Sequence, residues 1–496
     1  MTSEILQKAR DFEAQYQHFA DDQRPRFHVT GGIGWINDPN GFSVYKGEYH
    51  LFFQYHPYST QWGPMHWGHV KTKDFIRWER LPVALAPDSE MDRDGCFSGS
   101  AIELPDGRHL LMYTGVCKVR RADGVVEEIQ NQCIAVGDGV DYEKYEKNPV
   151  LDVSDLPEGG SELDFRDPKL WFEDGCYWAV MSNRSADGSG DVLLCRSEDA
   201  FHWEYVKKLT SCHNEYGRMW ECPEFFPLDG KQVLLTCPME MAPLGLEFHA
   251  GFGSMCLIGE YDRETREFRR EKVQAIDYGL DFYATQTVQA LDGRQIMIAW
   301  MQNWATSTSQ QRGDQLFGAL TLPRELSIRD GRLIQNPVRE LEQYRGRRVA
   351  YENVLVEKET NLSGVSGRVL DMTVKIRSAD ENGYRAFRLN LAKDGEYVAV
   401  IRYKPGRNTV RIDRTRSGGR FDIVHVRDFL VAPRAGAIEL RVVMDRGSVE
   451  LFVNGGEQAA TFRLYSPESA DAISFEAEGG AVLMDVEKYE LDVPQW

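Results

Sequence analysis

The chain contains no run of 18 apolar residues, so no segment of it can cross a bilayer as a helix. Residues 1–25 also lack a continuous apolar stretch, and no secretory signal is read there. Cysteine is missing from both ends: all nine lie between Cys96 and Cys256, an odd number with no C-x-x-C pair. This excludes a disulfide framework and a paired-cysteine zinc site, and points to buried thiols in a reducing compartment. A cytoplasmic protein is therefore expected. Positive charge is short as well, with 58 Lys and Arg against 77 Asp and Glu and a net charge of −19. Nucleic acid and anionic membrane are poor partners for such a chain, because phosphate neutralisation needs clustered cations. A neutral substrate fits, and a phosphorylated one would need only a few local Arg or Lys. The nearest thing to a metal pair, His66 and His69, has no third ligand or helical context and reads as structural. No metal site is expected.

A length of 496 residues exceeds what one hydrophobic core usually holds, so two domains are expected. The 44 glycines and 11% aromatic residues favour β structure with many turns. Ile5, Ala9, Phe12, Tyr16 and Phe19 keep a helical rhythm. They predict a short amphipathic helix in an N-terminal arm, residues 1–26, packed on the body and ended before Pro25.

Residues 27–335 repeat. Asp38, Asp167 and Glu221 each open an apolar stretch that reaches a tight turn, at Lys46-Gly47, Asp174-Gly175 and Asp229-Gly230. Ser98 and Tyr283 open two more, which end at Asp106-Gly107 and Asp292-Gly293. Five units spaced by roughly 55 to 70 residues predict a radial array of small antiparallel sheets. In such an array the three acids would hold equivalent slots near the axis and converge on one pocket. A second recurrence puts Asp74 before Trp78 and Asp199 before Trp203 at equal spacing, which predicts surface hairpins whose aromatic packs between sheets. Asn336-Pro337 opens a linker, 336–346, containing a short helix. Beyond it, 347–496 alternates apolar and charged residues between turn clusters, the pattern of a β-sandwich. Its faces need no functional explanation, and a carbohydrate-binding role for it is secondary.

Each acid has a plain alternative. Asn37-Asp38-Pro39-Asn40-Gly41 is a good turn by itself, although Trp35 and Ile36 are unusual neighbours for an exposed one. Arg166 and Asp167 could equally form surface ion pairs. Glu221 stands between Trp220 and Cys222, an apolar setting that suits a general acid, whereas a lone Glu in a strand is usually solvated. Taken together within a repeat, the three point to glycoside hydrolysis. That reaction needs one carboxylate to attack or stabilise an oxocarbenium-like centre, and another to protonate the leaving oxygen and then activate water. A third can hold sugar hydroxyls. Trp62, Phe97, Tyr283 and Trp300 would serve as apolar walls for a sugar ring, or simply pack in the core.

At these residues the sequence resembles glycoside hydrolase family 32, the β-fructofuranosidases. "WINDPNG" at 35–41 is similar to the family's nucleophile motif, "RDP" at 166–168 to its second acidic motif, and "EC" at 221–222 to its acid/base motif. The likeness continues through "FFQYHPYSTQWGPMHWGH" (52–69), "FSGSA" (97–101), "DFYATQT" (281–287), "IAWMQNW" (298–304) and "DRGSVELFVNGG" (445–456). It implies an all-β chain, a five-bladed β-propeller followed by a C-terminal β-sandwich. It further implies Asp38 as nucleophile on C2 of a fructosyl unit, Glu221 as general acid and then base, and Asp167 as the residue binding fructosyl hydroxyls. Asn37, Gln54, Trp62, Phe97, Ser98, Arg166, Tyr283 and Trp300 match substrate-pocket positions. A retaining double displacement follows, with no metal or organic cofactor. "YATQT" departs from the forms "YAPQ" and "YASKT" common in the family.

The substrate expected is a small sugar with a terminal β-fructofuranoside: sucrose, sucrose 6-phosphate or a short fructo-oligosaccharide. Fructosyl transfer through the same covalent intermediate is the alternative within enzymes. A sugar-binding propeller without catalysis is the alternative outside them. A homo-oligomer is compatible with the sequence.

Overall fold

The computed structural model describes residues 2–494 apart from 20, 22 and 312. Five antiparallel sheets follow one another along the chain. The first is built from Gly34–Tyr45, Glu48–His56, His66–Thr72 and Trp78–Leu85, and the second from Gly95–Glu103, His109–Arg120, Val126–Gly137 and Tyr142–Lys144. Arg166–Glu173, Cys176–Arg184, Gly190–Ser197 and Trp203–Ser211 make the third; Trp220–Leu228, Lys231–Pro238, Met255–Asp262 and Glu267–Ala275 the fourth. Tyr283–Gln289, Gln295–Trp300, Arg324–Arg329 and Arg332–Pro337 make the fifth. The first strand of each sheet packs against the first strand of the next, and the fifth returns to the first. The sheets are therefore the blades of a closed propeller, with their first strands innermost.

The turn chemistry explains the repeat. Lys46-Gly47, Asp174-Gly175 and Asp229-Gly230 all have positive φ at both positions, as a two-residue hairpin of the twist-matched type requires. At the matching turns of the second and fifth blades positive φ falls on Gly107 and Gly293 and not on the Asp before each, and the loop is longer, with Leu104 N bonded to Arg108 O and Ala290 N to Arg294 O. The Asp-before-Trp recurrence is also physical. Asp74 accepts from Ile76 N and Arg77 N, and Asp199 from Phe201 N and His202 N, which turns the chain and buries Trp78 and Trp203.

Every innermost strand carries a bulge near its start. The residues left out of the ladder are Asn37-Asp38, Ser98, Asp167-Pro168, Cys222-Pro223 and Ala284-Thr285. This corrects the expectation that the three acids share one slot. Asp38 and Asp167 lie within their bulges. Glu221 is the residue before its bulge, paired with Cys237 as Arg166 is with Ser182 and Tyr283 with Trp300. Positive φ at Asp167, Cys222 and Ala284 marks the same point in three blades, so Glu221 corresponds to Arg166. Asp38 is the second residue of its bulge and Asp167 the first, so the acids hold three neighbouring slots; a bulge re-aims the side chains beside it, and here all three reach the same cavity.

The ring is shut by a segment absent from the repeat. Between the second and third strands of the fifth blade the chain leaves the sheet, and Leu316–Phe317 pairs in parallel with Gly34-Trp35. Gly318 makes the approach feasible. Its φ is +88°, and a Cβ there would lie 2.1 Å from the Ile36 carbonyl oxygen. The N-terminal helix spans Glu4–Tyr16, capped by Ser3, whose hydroxyl accepts from Leu6 N at 3.1 Å. Its buried stripe is Leu6, Ala9 and Glu13, while Ile5 and Phe19 are exposed. The expected stripe was offset because Glu13, a charged residue, faces inward toward Arg80.

After a 3-10 turn, Arg339–Tyr344, two sheets of six and five strands form the sandwich, with strands running from Arg345 to Leu491. One apolar core runs from blades three and four into it, joining Trp178 and Trp220 to Phe387 and Phe475. The seam with blade five adds buried ion pairs to an apolar cluster that joins Ile296 and Ile298 to Val443 and Phe452. Arg324 donates to Glu450 at 2.7 Å and to Asp277 at 3.0 Å, and His28 bridges Asp445 at 2.8 Å and Glu450 at 2.9 Å. Arg414 pairs with Asp281 nearby, and all of these side chains are buried.

Candidate active site

A cavity of about 360 Å³ opens at the bulged ends of the innermost strands. Its lining includes nine of the residues singled out in the sequence: Asn37, Asp38, Gln54, Trp62, Phe97, Ser98, Arg166, Asp167 and Glu221. The other two stand behind it. Tyr283 is 1% exposed and donates from its hydroxyl to Glu221 Oε2 at 2.6 Å. Trp300 is fully buried and packs 6.0 Å from Trp35, so it is a supporting ring and not a wall of the cavity.

The three carboxylates have different partners. Asp38 Oδ2 accepts from Ser98 Oγ at 2.8 Å, and Oδ1 from Asn37 Nδ2 at 3.0 Å. Asn37 is itself held by Trp35 Nε1, which donates to Asn37 Oδ1 at 2.8 Å. Asp167 Oδ2 accepts from the backbone N–H of Cys222 at 2.9 Å, the bulge residue of the next blade. Glu221 lies between Arg166 Nε at 3.1 Å and the Tyr283 hydroxyl. The apolar setting expected for Glu221 is thus replaced by a guanidinium and a phenol, since Trp220 alternates away from it along the strand and Cys222, in the bulge, turns its Sγ to within 3.8 Å of Asp38 Oδ2.

Burial and mutual repulsion set the charges. Burial and the Glu221 charge push Asp38 up to about 6, against the opposing bonds from Ser98 and Asn37. Asp167 is raised to about 7 by burial, with the Arg166 charge opposing and the Glu221 and Asp38 charges reinforcing. Burial works against the Arg166 charge, but Glu221, Asp167 and Asp164 outweigh it and hold the guanidinium firmly ionised. Burial and the Glu221 charge keep Tyr283 well above the ordinary phenol range, so it stays a donor. The arrangement can place a nucleophile, a proton carrier and a hydroxyl-binding carboxylate around one small ring. His66 and His69 take no part: His66 Nδ1 lies 3.0 Å from Pro64 O, and His69 Nε2 lies 2.9 Å from His50 Nδ1.

The rest of the lining was not read from the sequence: Glu128, Gln130, Leu163, Asp164, Met239, Phe252 and Trp304. Gln130 comes from the third strand of blade two and accepts from Arg166 Nη1 at 3.2 Å. Asp164 also accepts from Arg166 Nη1, at 2.9 Å. A signal existed for Asp164, which stands two residues before Arg166, and for Trp304, which ends the "IAWMQNW" run.

Comparison with known proteins identifies the family. Residues 28–337 match the model of the glycosyl hydrolases family 32 N-terminal domain, and residues 340–492 that of the family 32 C-terminal domain. A raffinose invertase of Escherichia coli is 38% identical over 477 residues, covering 93% of this chain and 94% of its own. A sucrose-6-phosphate hydrolase of Zymomonas mobilis subsp. mobilis is 35% identical over 485 residues, covering 94% and 92%. Among solved structures, a family 32 β-fructofuranosidase of Bombyx mori superposes with a TM-score of 0.84 at 33% identity, covering 98% of this chain and 99% of its own. A variant of the Bombyx mori enzyme has been solved in complex with sucrose. The chain belongs to glycosyl hydrolase family 32 and is a glycoside hydrolase.

Proposed function

We propose that the chain hydrolyses terminal β-D-fructofuranosyl units from sucrose, sucrose 6-phosphate or short fructo-oligosaccharides with retention of configuration. The observation that carries this reading is the convergence of three carboxylates with three different sets of partners on one cavity. Asp38, oriented by Ser98 and Asn37, attacks C2 of the fructosyl unit and forms a covalent ester. Glu221 gives a proton to the glycosidic oxygen as that bond breaks, then takes one from the water that opens the ester. Arg166 and Tyr283 fix the position of Glu221 between these two steps. Asp167, steadied by the Cys222 N–H, accepts from fructosyl hydroxyls, and these bonds tighten as the ring flattens. Nine free thiols, seven of them buried, support a reducing compartment and hence the cytoplasm.

The test has two parts. On concentrated sucrose, glucose and fructose should appear in equal amounts; a large glucose excess would mean transfer to a sugar acceptor instead. Glu221→Gln should lose about 10²–10⁴-fold on sucrose and much less on a fructoside whose leaving group needs no proton. Equal losses on both substrates would remove Glu221 as the acid.

A further inference from the structure

We propose that the mouth of this cavity selects a neutral leaving group and turns away one that carries a phosphate ester. This rests on the reading above, in which the fructosyl unit occupies the floor, and it separates two substrates which that reading leaves together. The lining is graded in exposure. Asn37, Gln54, Ser98, Gln130, Arg166 and Asp167 are all buried and form the floor. Trp62 is 41% exposed and Leu163 37%, and Glu128, Asp164, Phe252 and Trp304 are half-buried; these form the mouth, where the leaving group sits.

The mouth offers rings and carboxylates. Trp62, Phe252 and Trp304 present faces and edges that a sugar ring can stack on, and Glu128 and Asp164 can accept from its hydroxyls. A phosphate monoester needs the opposite, free N–H donors or uncommitted cations. Among the described lining residues five carboxylates, Asp38, Glu128, Asp164, Asp167 and Glu221, face a single guanidinium. That guanidinium, Arg166, is engaged at all three nitrogens. Nε donates to Glu221, Nη1 to Asp164 and Gln130, and Nη2 points at Met239 Sδ at 3.8 Å. The cations beside the two mouth acids are committed too: Lys118 pairs with Glu128 at 3.4 Å, and Arg184 with Asp164 at 3.0 Å. Among the described lining residues a phosphate dianion there meets like charge and no uncommitted cation, the arrangement by which binding sites reject wrong partners.

The glucosyl O6 of sucrose provides a clean comparison. Sucrose 6-phosphate carries a dianion on that oxygen, whereas raffinose carries a bulky neutral galactosyl group on the same oxygen. The experiment measures kcat/KM for sucrose, raffinose and sucrose 6-phosphate at pH 7.5, in low and high NaCl. The phosphate ester is expected at least about tenfold below sucrose, with raffinose closer to sucrose than the ester is. Added salt should raise the ester alone, because exposed charges are screened. Glu128→Lys should move the ester-to-sucrose ratio toward the ester. The inference is overturned if the ester matches or exceeds sucrose, or if raffinose is as poor as the ester, since size and not charge would then decide. If none of the three is cleaved, the fructosidase reading itself fails and this falls with it.

Discussion

Two regions of this molecule bury several carboxylates each, and they treat them in opposite ways. At the seam between propeller and sandwich, every buried acid meets a countercharge: Glu450 has Arg324 and His28, Asp277 has Arg324, Asp281 has Arg414, and Asp445 has His28. Burial alone would raise Asp445 and Glu450, but these partners hold both below the usual carboxylate range. At the cavity, three acids share one arginine, and Asp38 and Asp167 are raised. The seam spends its cations on rigidity. The cavity leaves its acids under-compensated, and that residual repulsion is relieved when a proton or a covalent bond removes a charge.

The largest test of that contrast is Asp38→Asn. Turnover should fall by roughly 10⁴-fold or more, as for loss of a covalent nucleophile. Stability should move the other way. A raised carboxyl contributes its full stability below its unfolded value of 3.8 and loses it as pH rises through about 6, so at pH 7.5 the native Asp38 opposes folding. Removing the charge should therefore stabilise the fold by about 1–2 kcal/mol, read by chemical denaturation. Near-native activity, or a less stable variant, would break the comparison on this side.

On the other side, Glu450→Gln leaves His28 and Arg324 short of a countercharge and should cost about 3–5 kcal/mol of stability. The kcat/KM of the folded fraction should change little. A variant as stable as the native chain would show that the seam is not the compensated region described here.

The smallest effects are in pH dependence. With Asp38 as the proposed nucleophile, kcat/KM should decline as pH falls below about 6, where its carboxylate takes up a proton. His28 gives a separate signal. Burial works against its charge, but the bonds from Asp445 and Glu450 prevail and raise it from 6.5 to about 9. Its contribution to stability is complete below 6.5 and is lost as pH rises through about 9, so Tm should drop across that interval. His28→Gln should flatten this slope without moving the acid limb of activity.

The propeller could be read in the sequence because its hairpin turns need special residues at fixed spacing, and Lys46-Gly47, Asp174-Gly175 and Asp229-Gly230 advertise them. The acids were legible for the same reason, being tied to those turns. The offsets among them were not: Asp38 is the second residue of its bulge, Asp167 the first, and Glu221 stands before its bulge. A bulge is defined by which partner residue goes unpaired, and nothing local to Trp220-Glu221-Cys222 announces it. The mouth of the cavity was the least legible part. Glu128 and Gln130 come from a third strand, while Leu163, Asp164, Phe252 and Trp304 stand outside the strands, where the repeat leaves no mark. The helical arm was found but rotated, because apolar periodicity alone does not anticipate an inward Glu13.

Phe317 stacks on Trp35 at 4.6 Å, and Trp35 holds Asn37 beside Asp38. The clasp that joins the last blade to the first therefore also steadies the neighbour of Asp38, the proposed nucleophile. Cleavage of sugar becomes a reporter of circular closure: a molecule whose ring has come unfastened loses chemistry before its individual blades melt.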